Sequence, residues 1–300
     1  MSDDVVVIRN VTKSFRNTVA VRDLSLVVRR GTVCGLLGPN GSGKTTTIRM
    51  ILTILLPDTG EIRLWDRPPH EVIRERVGYL PEERGLYEKM RVLDHLVFLA
   101  ELHGVGRAEG RRRAERWLAE HEAAGWAKRT VEELSKGQQQ TLQIIGTLLH
   151  EPELVILDEP FAGLDPVNAA HLRELVRGLR DKGRTILLST HRMEQVEQVC
   201  DDICLIAGGE PILKGSLRQV KARYGRDVVS IVMDGGNGFL GPDDIIAEVE
   251  RRPDAARVRL REGADPQELL RRALSHGRVL RFEIVEPSLE EIFVEAVTRR

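Results

Sequence analysis

The sequence predicts an α/β core followed by a small α+β domain, and three observations carry that prediction. Apolar runs of strand length alternate with amphipathic helical patterns from Val5 to about Gly215. Gly38-Pro-Asn-Gly-Ser-Gly-Lys-Thr-Thr46 sits between the apolar run Thr32–Leu37 and a helical pattern from Thr45 onward, the order of a phosphate loop. Beyond residue 226 a second, shorter series of strands and helices begins. At 300 residues and 41% hydrophobic content, the chain can bury a main core of about two hundred residues and a smaller one beside it.

In chain order, Val5–Ile8 and Leu24–Val28 have strand character, Thr32–Leu37 leads into the phosphate loop, and Glu61–Leu64 follows the first helix. A mostly helical insert, rich in Leu, Ala, Arg and Glu, occupies about Met90–Ala127, with its last turns reaching residue 135; its run Arg111–Arg113 reads as a solvated helix face. Leu154–Leu157, Thr185–Leu188 and Ile203–Ile206, with the helical pattern His171–Arg180 among them, form a βαβ series and hence a largely parallel sheet. After a polar, basic stretch at Leu217–Arg226 come strand Val228–Met233, helix Asp243–Val249 and strand Arg257–Leu260. Helix Pro266–Ser275, strand Val279–Ile284 and helix Ser288–Val297 complete the chain, giving predicted domains at 1–220 and 226–300.

Charge and composition exclude several classes. With 45 basic against 46 acidic residues the net charge is −1, so no global field recruits nucleic acid or an anionic membrane surface. The longest apolar stretches, such as Met50–Leu56, fall far short of the ~20 residues that cross a bilayer, and the acidic start Met1-Ser-Asp-Asp is unlike a signal peptide, so a cytoplasmic chain is expected. Cys34, Cys200 and Cys204 are odd in number and two lie in apolar runs, which reads as buried structural thiols. His95, His150 and His171 fall on helical patterns without partners at metal-ligand spacing.

The phosphate loop points to a nucleoside triphosphate. Glycines let successive N–H groups turn toward an anion, and the following helix aims its positive end at it. Gly38, Pro39, Asn40, Gly41, Ser42, Gly43, Lys44, Thr45 and Thr46 are the expected contacts, with Lys44 on the β- and γ-phosphates and the Thr45 hydroxyl on Mg²⁺. Asp158 and Glu159 end a buried apolar strand, where ligands collect in open α/β sheets. Asp158 is suited to the metal, and Glu159, ionised at neutral pH, to the attacking water.

Leu134-Ser-Lys-Gly-Gln138, Asp158-Glu159, Gly163-Leu-Asp165 and Ser189-Thr-His191 follow the phosphate loop in an order that resembles an ABC-type ATPase over residues 4 to about 215. The resemblance implies a two-fold dimer around two Mg·ATP, homomeric or heteromeric. In it Ser135, Lys136, Gly137 and Gln138 meet the nucleotide of the other subunit and Asp165 lies on the interface loop. It also places His191 on the γ-phosphate, and Phe15 and Ala20 on the nucleotide, Phe15 stacking on adenine. Two positions depart from the family pattern: Lys136 replaces the first of paired glycines, with Ser135 and Gly137 retained, and Glu82 stands where a glutamine usually touches Mg²⁺ and water. A carboxylate there can serve the same catalytic and metal-binding purpose. Pro81-Glu-Glu-Arg-Gly-Leu-Tyr87 and the ending Glu286-Pro-Ser-Leu-Glu-Glu-Ile-Phe293 are similar to the branch serving ABC-2-type exporters, including sodium and drug efflux systems. That branch implies a separate membrane permease and attachment to the inner face of the membrane through it. A groove expected between the segment around Glu82 and the helical insert makes Leu86, Tyr87 and Met90 the candidate contacts, with ordinary core packing of the insert as their other reading. The alternative is a soluble ABC ATPase acting on nucleic acid or a protein without transport; the balanced charge speaks against nucleic acid.

Overall fold

The computed structural model describes residues 3–83, 85–224, 228–234, 238–251, 255–261 and 263–298, in two compact units, residues 1–216 and 217–300. The first unit holds β1 (Asp4–Phe15), β2 (Thr18–Arg29), β3 (Val33–Leu37), α1 (Lys44–Ile51), β4 (Thr59–Leu64), α2 (Ile73–Arg76) and β5 (Val77–Leu80). The helical insert follows as α3 (Val92–Leu102), α4 (Arg107–Glu120) and α5 (Lys136–Leu148). Then come β6 (Leu154–Asp158), α6 (Pro166–Asp181), β7 (Thr185–Thr190), α7 (Met193–Val199), β8 (Asp202–Ala207) and β9 (Glu210–Ser216).

Every residue of β3, β6 and β7 is buried, because helices cover both faces of the sheet they form. The strand order is β5-β6-β7-β3-β8-β9, parallel from β5 to β8, with β9 added antiparallel after a turn at Gly208-Gly209. The run Glu61–Leu64, read from the sequence as a strand, lies in β4, which pairs antiparallel with β1 in a separate sheet of order β2-β1-β4, matching Ile8 with Ile62 and Val6 with Leu64. β1 and β2 run well past the short strands predicted. Their buried Val6, Ile8, Leu24 and Val28 join Leu36, Ile48 and Ile51 in one core, so the antiparallel sheet closes over α1 and the parallel sheet.

The insert carries its own core, with Val92 and Leu96 of α3, Ala114 and Leu118 of α4, and Leu142 and Ile145 of α5. Arg111 and Arg112 stay on the solvated face, bound to Glu115 and Glu109. Arg113 departs from that reading: it is tucked in, donating to the Leu149 carbonyl at 3.0 Å. The three cysteines are buried free thiols, and burial pushes their pKa values up, that of Cys204 to about 12. Among the described residues no helix is long and apolar enough to cross a membrane.

The second unit holds α8 (Leu217–Tyr224), β10 (Val228–Asp234), β11 (Ile246–Arg251), β12 (Ala256–Leu260), α9 (Pro266–His276), β13 (Arg278–Ile284) and α10 (Leu289–Thr298). Its antiparallel sheet has the order β11-β12-β10-β13, and Leu269 and Ala273 of α9 pack on Val229, Ile231 and Val258. The predicted helix Asp243–Val249 is corrected: this segment turns at Asp243 and becomes β11. The Asp243 carboxylate accepts the N–H groups of Ile245 and Ile246, an Asx turn that competes with helix initiation, and Val249 then pairs with Val258. The polar, basic stretch after Ser216 forms α8.

Candidate active site

The site is built where β3, β6 and β7 end side by side. β3 delivers the chain into the phosphate loop, whose glycines adopt backbone angles that side chains resist: φ is 149° at Gly38, 76° at Gly41 and 108° at Gly43. A Cβ on Gly38 would lie 2.1 Å from the Ile206 carbonyl oxygen, and one on Gly43 would lie 2.4 Å from that of Ala20. The loop is thus clamped between β8 and β2, and Ala20 abuts it. α1 starts at Lys44 with no acidic residue in its first turn, leaving its positive end uncompensated for an anion. Lys44, only 5% exposed, curls back to donate to the carbonyls of Gly38 at 2.8 Å and Pro39 at 3.2 Å.

The register of β6 against β7 sets Asp158 beside Ser189. The Ser189 hydroxyl donates to Asp158 Oδ1 and itself accepts the Glu159 N–H at 3.1 Å. Thr45 donates to the same Oδ1 at 3.4 Å. Glu159 breaks from the strand with φ of 49°, a left-handed conformation uncommon outside glycine and concentrated at functional sites. That bend aims its carboxylate inward. Oε2 meets His191 Nδ1 at 3.0 Å, and Oε1 lies 3.3 Å from Lys44 Nζ, an ion-pair contact without hydrogen-bond geometry.

Three buried polar atoms here have no hydrogen-bond partner among the described residues: Ser42 Oγ, Asp158 Oδ2 and Glu159 Oε1. Buried acceptors are normally satisfied, so such a cluster marks atoms awaiting a ligand. Burial pushes the Asp158 pKa up, with Glu159 adding to the rise, while Ser189, Thr45 and Lys44 oppose it. Asp158 is therefore short of positive charge. Among the described residues no group of three or more His, Cys, Asp or Glu side chains forms a protein cage for a metal. One hydroxyl and one carboxylate, Thr45 and Asp158, instead suit magnesium, which keeps waters and shares its shell with substrate phosphates.

The remaining predicted residues fall into three groups. Phe15, 44% exposed at the end of β1, offers a ring face with the Lys13 ammonium 5.7 Å from its centroid. Pro39, Asn40 and Gly41 form the exposed lip of the loop, and Thr46 lies partly exposed in the first turn of α1. Ser135 caps α5, its hydroxyl accepting the Gln138 N–H at 3.3 Å while the Gln138 side chain returns a bond to the Ser135 N–H at 2.9 Å. Lys136 is exposed, Gly137 half-buried. Asp165 caps α6 through the N–H groups of Val167 and Asn168. Among the described residues, no hydrogen bond joins Ser135, Lys136, Gly137, Gln138 or Asp165 to the phosphate loop. Glu82 stands exposed just past β5, which pairs with β6 and so ends at the same edge of the site; no hydrogen bond joins it to Asp158 or Glu159. Leu86 packs on the core of the insert and Met90 is half-buried, whereas Tyr87 is 54% exposed and rests edge-on against Phe98. Sequence reasoning assigned no task to Ser189; its place at the end of an apolar strand level with Asp158 was the available signal.

Comparison with known proteins adds the following. Residues 21–162 match the ABC transporter family, and residues 215–297 match the C-terminal domain of ATP-binding proteins like DrrA1-3. The chain is 42% identical to the uncharacterized ABC transporter ATP-binding protein YhaQ of Bacillus subtilis, over 98% of both chains. It is 35% identical to the daunorubicin resistance ATP-binding protein DrrA3 of Streptomyces coeruleorubidus, covering 78% of this chain and 75% of that one. A solved ATP-binding subunit of an ABC transporter superposes with a TM-score of 0.67 at 31% identity, over 73% of this chain and 93% of that chain.

Proposed function

Because the chain belongs to the ABC transporter family of ATP-hydrolysing subunits, we propose that it powers an exporter by closing as a dimer around two Mg·ATP and driving a separate membrane permease of the ABC-2 type. The observation that carries this reading is the convergence of Lys44, Thr45, Asp158, Glu159 and His191 at one sheet end, with acceptor atoms of both carboxylates unsatisfied. Export is supported by the second unit's match to a DrrA-like C-terminal domain and by the resistance protein among the relatives.

In this reading Lys44 exchanges its carbonyl partners for the β- and γ-phosphates, and the loop amides with the start of α1 hold the developing charge. Glu159 then aligns and deprotonates the attacking water, held in place by its left-handed backbone and by His191, which also faces the γ-phosphate. Ser189 orients Asp158. Magnesium, held by Thr45 and Asp158, would neutralise the charge on the β- and γ-phosphates. Glu82, just past the neighbouring strand end, assists at that charge, and Phe15 supplies the adenine platform. Ser135 to Gln138 and Asp165 serve the nucleotide of the second subunit. Tyr87, with Met90 beside it, faces the permease, and through it the chain sits at the inner face of the membrane.

The test is Glu159→Gln. It keeps the shape of the side chain and removes its basicity, so ATP binding is expected to persist while turnover falls by about 10²-fold or more and an ATP-dependent dimer accumulates on gel filtration. Lys44→Ala is expected to lose tight ATP binding. Near-normal turnover of the Gln variant would remove Glu159 from its role, and a variant that stays monomeric at saturating ATP would overturn the dimer.

A further inference from the structure

The first unit has a second concave site, at the end of the six-stranded sheet opposite the phosphate loop. It is a cavity of about 190 Å³ where β6 and β7 begin, lined by Val5, Arg30, Trp65, Glu153 and the turn Lys182–Thr185 between α6 and β7. Three cations face it and one anion. The anion is already matched: Glu153 takes a two-pronged contact from Arg76 at 2.7 and 2.8 Å, and that bond holds its pKa below the usual carboxylate range. Arg30 reaches Glu153 only at 4.0 Å. The Lys182 ammonium has no ion-pair partner among the described residues. Arg184 spends one nitrogen on the carbonyls of Glu151 and Pro152, fixing its guanidinium at the rim and leaving its other donors unpaired among the described residues. The Arg76 guanidinium lies over the Trp65 ring, 3.7 Å from its centroid, and the buried indole N–H has no acceptor among the described residues.

Two guanidiniums and an ammonium set against the one carboxylate of Glu153, itself bound by Arg76, leave the cavity net positive and able to recruit an oxyanion, since guanidinium forks match phosphate oxygens in pairs. Size narrows the class. The cavity is smaller than the roughly 300–1,000 Å³ of sites that engulf organic ligands, yet has room for a tetrahedral anion with a few waters at about 30 Å³ each. We propose that Arg30, Lys182 and Arg184 form a second anion site for a phosphate group, carried either as free inorganic phosphate or as a small phosphate ester, with Trp65 as its floor.

Trp65 is also the reporter. The chain has three tryptophans, so Trp117→Phe with Trp126→Phe leaves Trp65 as the single fluorophore. With a non-hydrolysable ATP analogue filling the phosphate loop, titration with inorganic phosphate is expected to change Trp65 emission saturably. The exposed pair Arg30→Gln and Lys182→Gln should weaken that response about tenfold or more, and rising salt should weaken it too. A thermal shift on protein with all three tryptophans gives the same comparison should the double Phe variant fold poorly. Glycerol 3-phosphate separates the sources: tighter binding than phosphate identifies an ester, weaker binding the free ion. An emission change that does not saturate, or one of equal midpoint with and without Arg30 and Lys182, overturns the proposal.

Discussion

At the scale of the residue, the site trades stability for readiness. Asp158 is buried, its pKa is raised, and one of its oxygens has no partner. Its charge is therefore a cost in the free protein, since burial disfavours the ionised form. Asp158→Asn is expected to raise the melting temperature of nucleotide-free protein by a few degrees, and to abolish the additional stabilisation that magnesium gives with ATP; differential scanning calorimetry with and without Mg·ATP checks both halves. Two histidines away from the phosphate loop set a pH limit. Burial lowers His95 and His150 to about 4 from an ordinary 6.5, and neither nitrogen of His95 has a hydrogen-bond partner among the described residues. Both are neutral in the fold while the unfolded chain binds their protons below pH 6.5. Their support is therefore complete above pH 6.5 and is withdrawn as pH falls toward 4, by about 3 kcal/mol each. His95→Phe, which keeps a flat ring beside Tyr87, should flatten the acid side of a urea-denaturation profile; a profile parallel to that of the parent chain would show that His95 does not titrate as described.

At the scale of the element, what the sequence conveyed well was whatever periodicity or a motif governs alone. β3, β6 and β7 read as unbroken apolar runs because both faces of their sheet are covered, and the loop at Gly38–Thr46 is dictated by local backbone chemistry. Legibility failed where pairing partners decide. Nothing within Thr59–Leu64 says that it pairs with β1 instead of joining the parallel sheet, since the choice depends on residues some fifty positions away. Ile245-Ile-Ala-Glu-Val249 fits a helical face as well as a strand, and the Asx turn at Asp243 settles it. The same limit applies to the site. Lys44, Asp158, Glu159 and His191 could be named from their motifs, but the bend at Glu159 and its bridge to Ser189 are products of the register between β6 and β7.

At the scale of the whole molecule, the chain is two units with separate cores, and every residue assigned to nucleotide chemistry lies in the first. Residues 1–216 are therefore expected to fold alone, melt cooperatively and bind ATP with undiminished affinity; a fragment that is unfolded by circular dichroism would show that the second unit is needed for the first to form. One arrangement in that first unit has a wider consequence. In the resting chain the Lys44 ammonium already lies on the carbonyls of Gly38 and Pro39 and against Glu159. An arriving triphosphate thus swaps partners within a finished cradle and has no loose loop to organise. In a rapid-mixing trace, capture becomes one concentration-dependent phase with no slow tail behind it. The same swap takes Lys44 off Glu159 only once a phosphate is in place, so the arrival of substrate itself frees that carboxylate to meet the water.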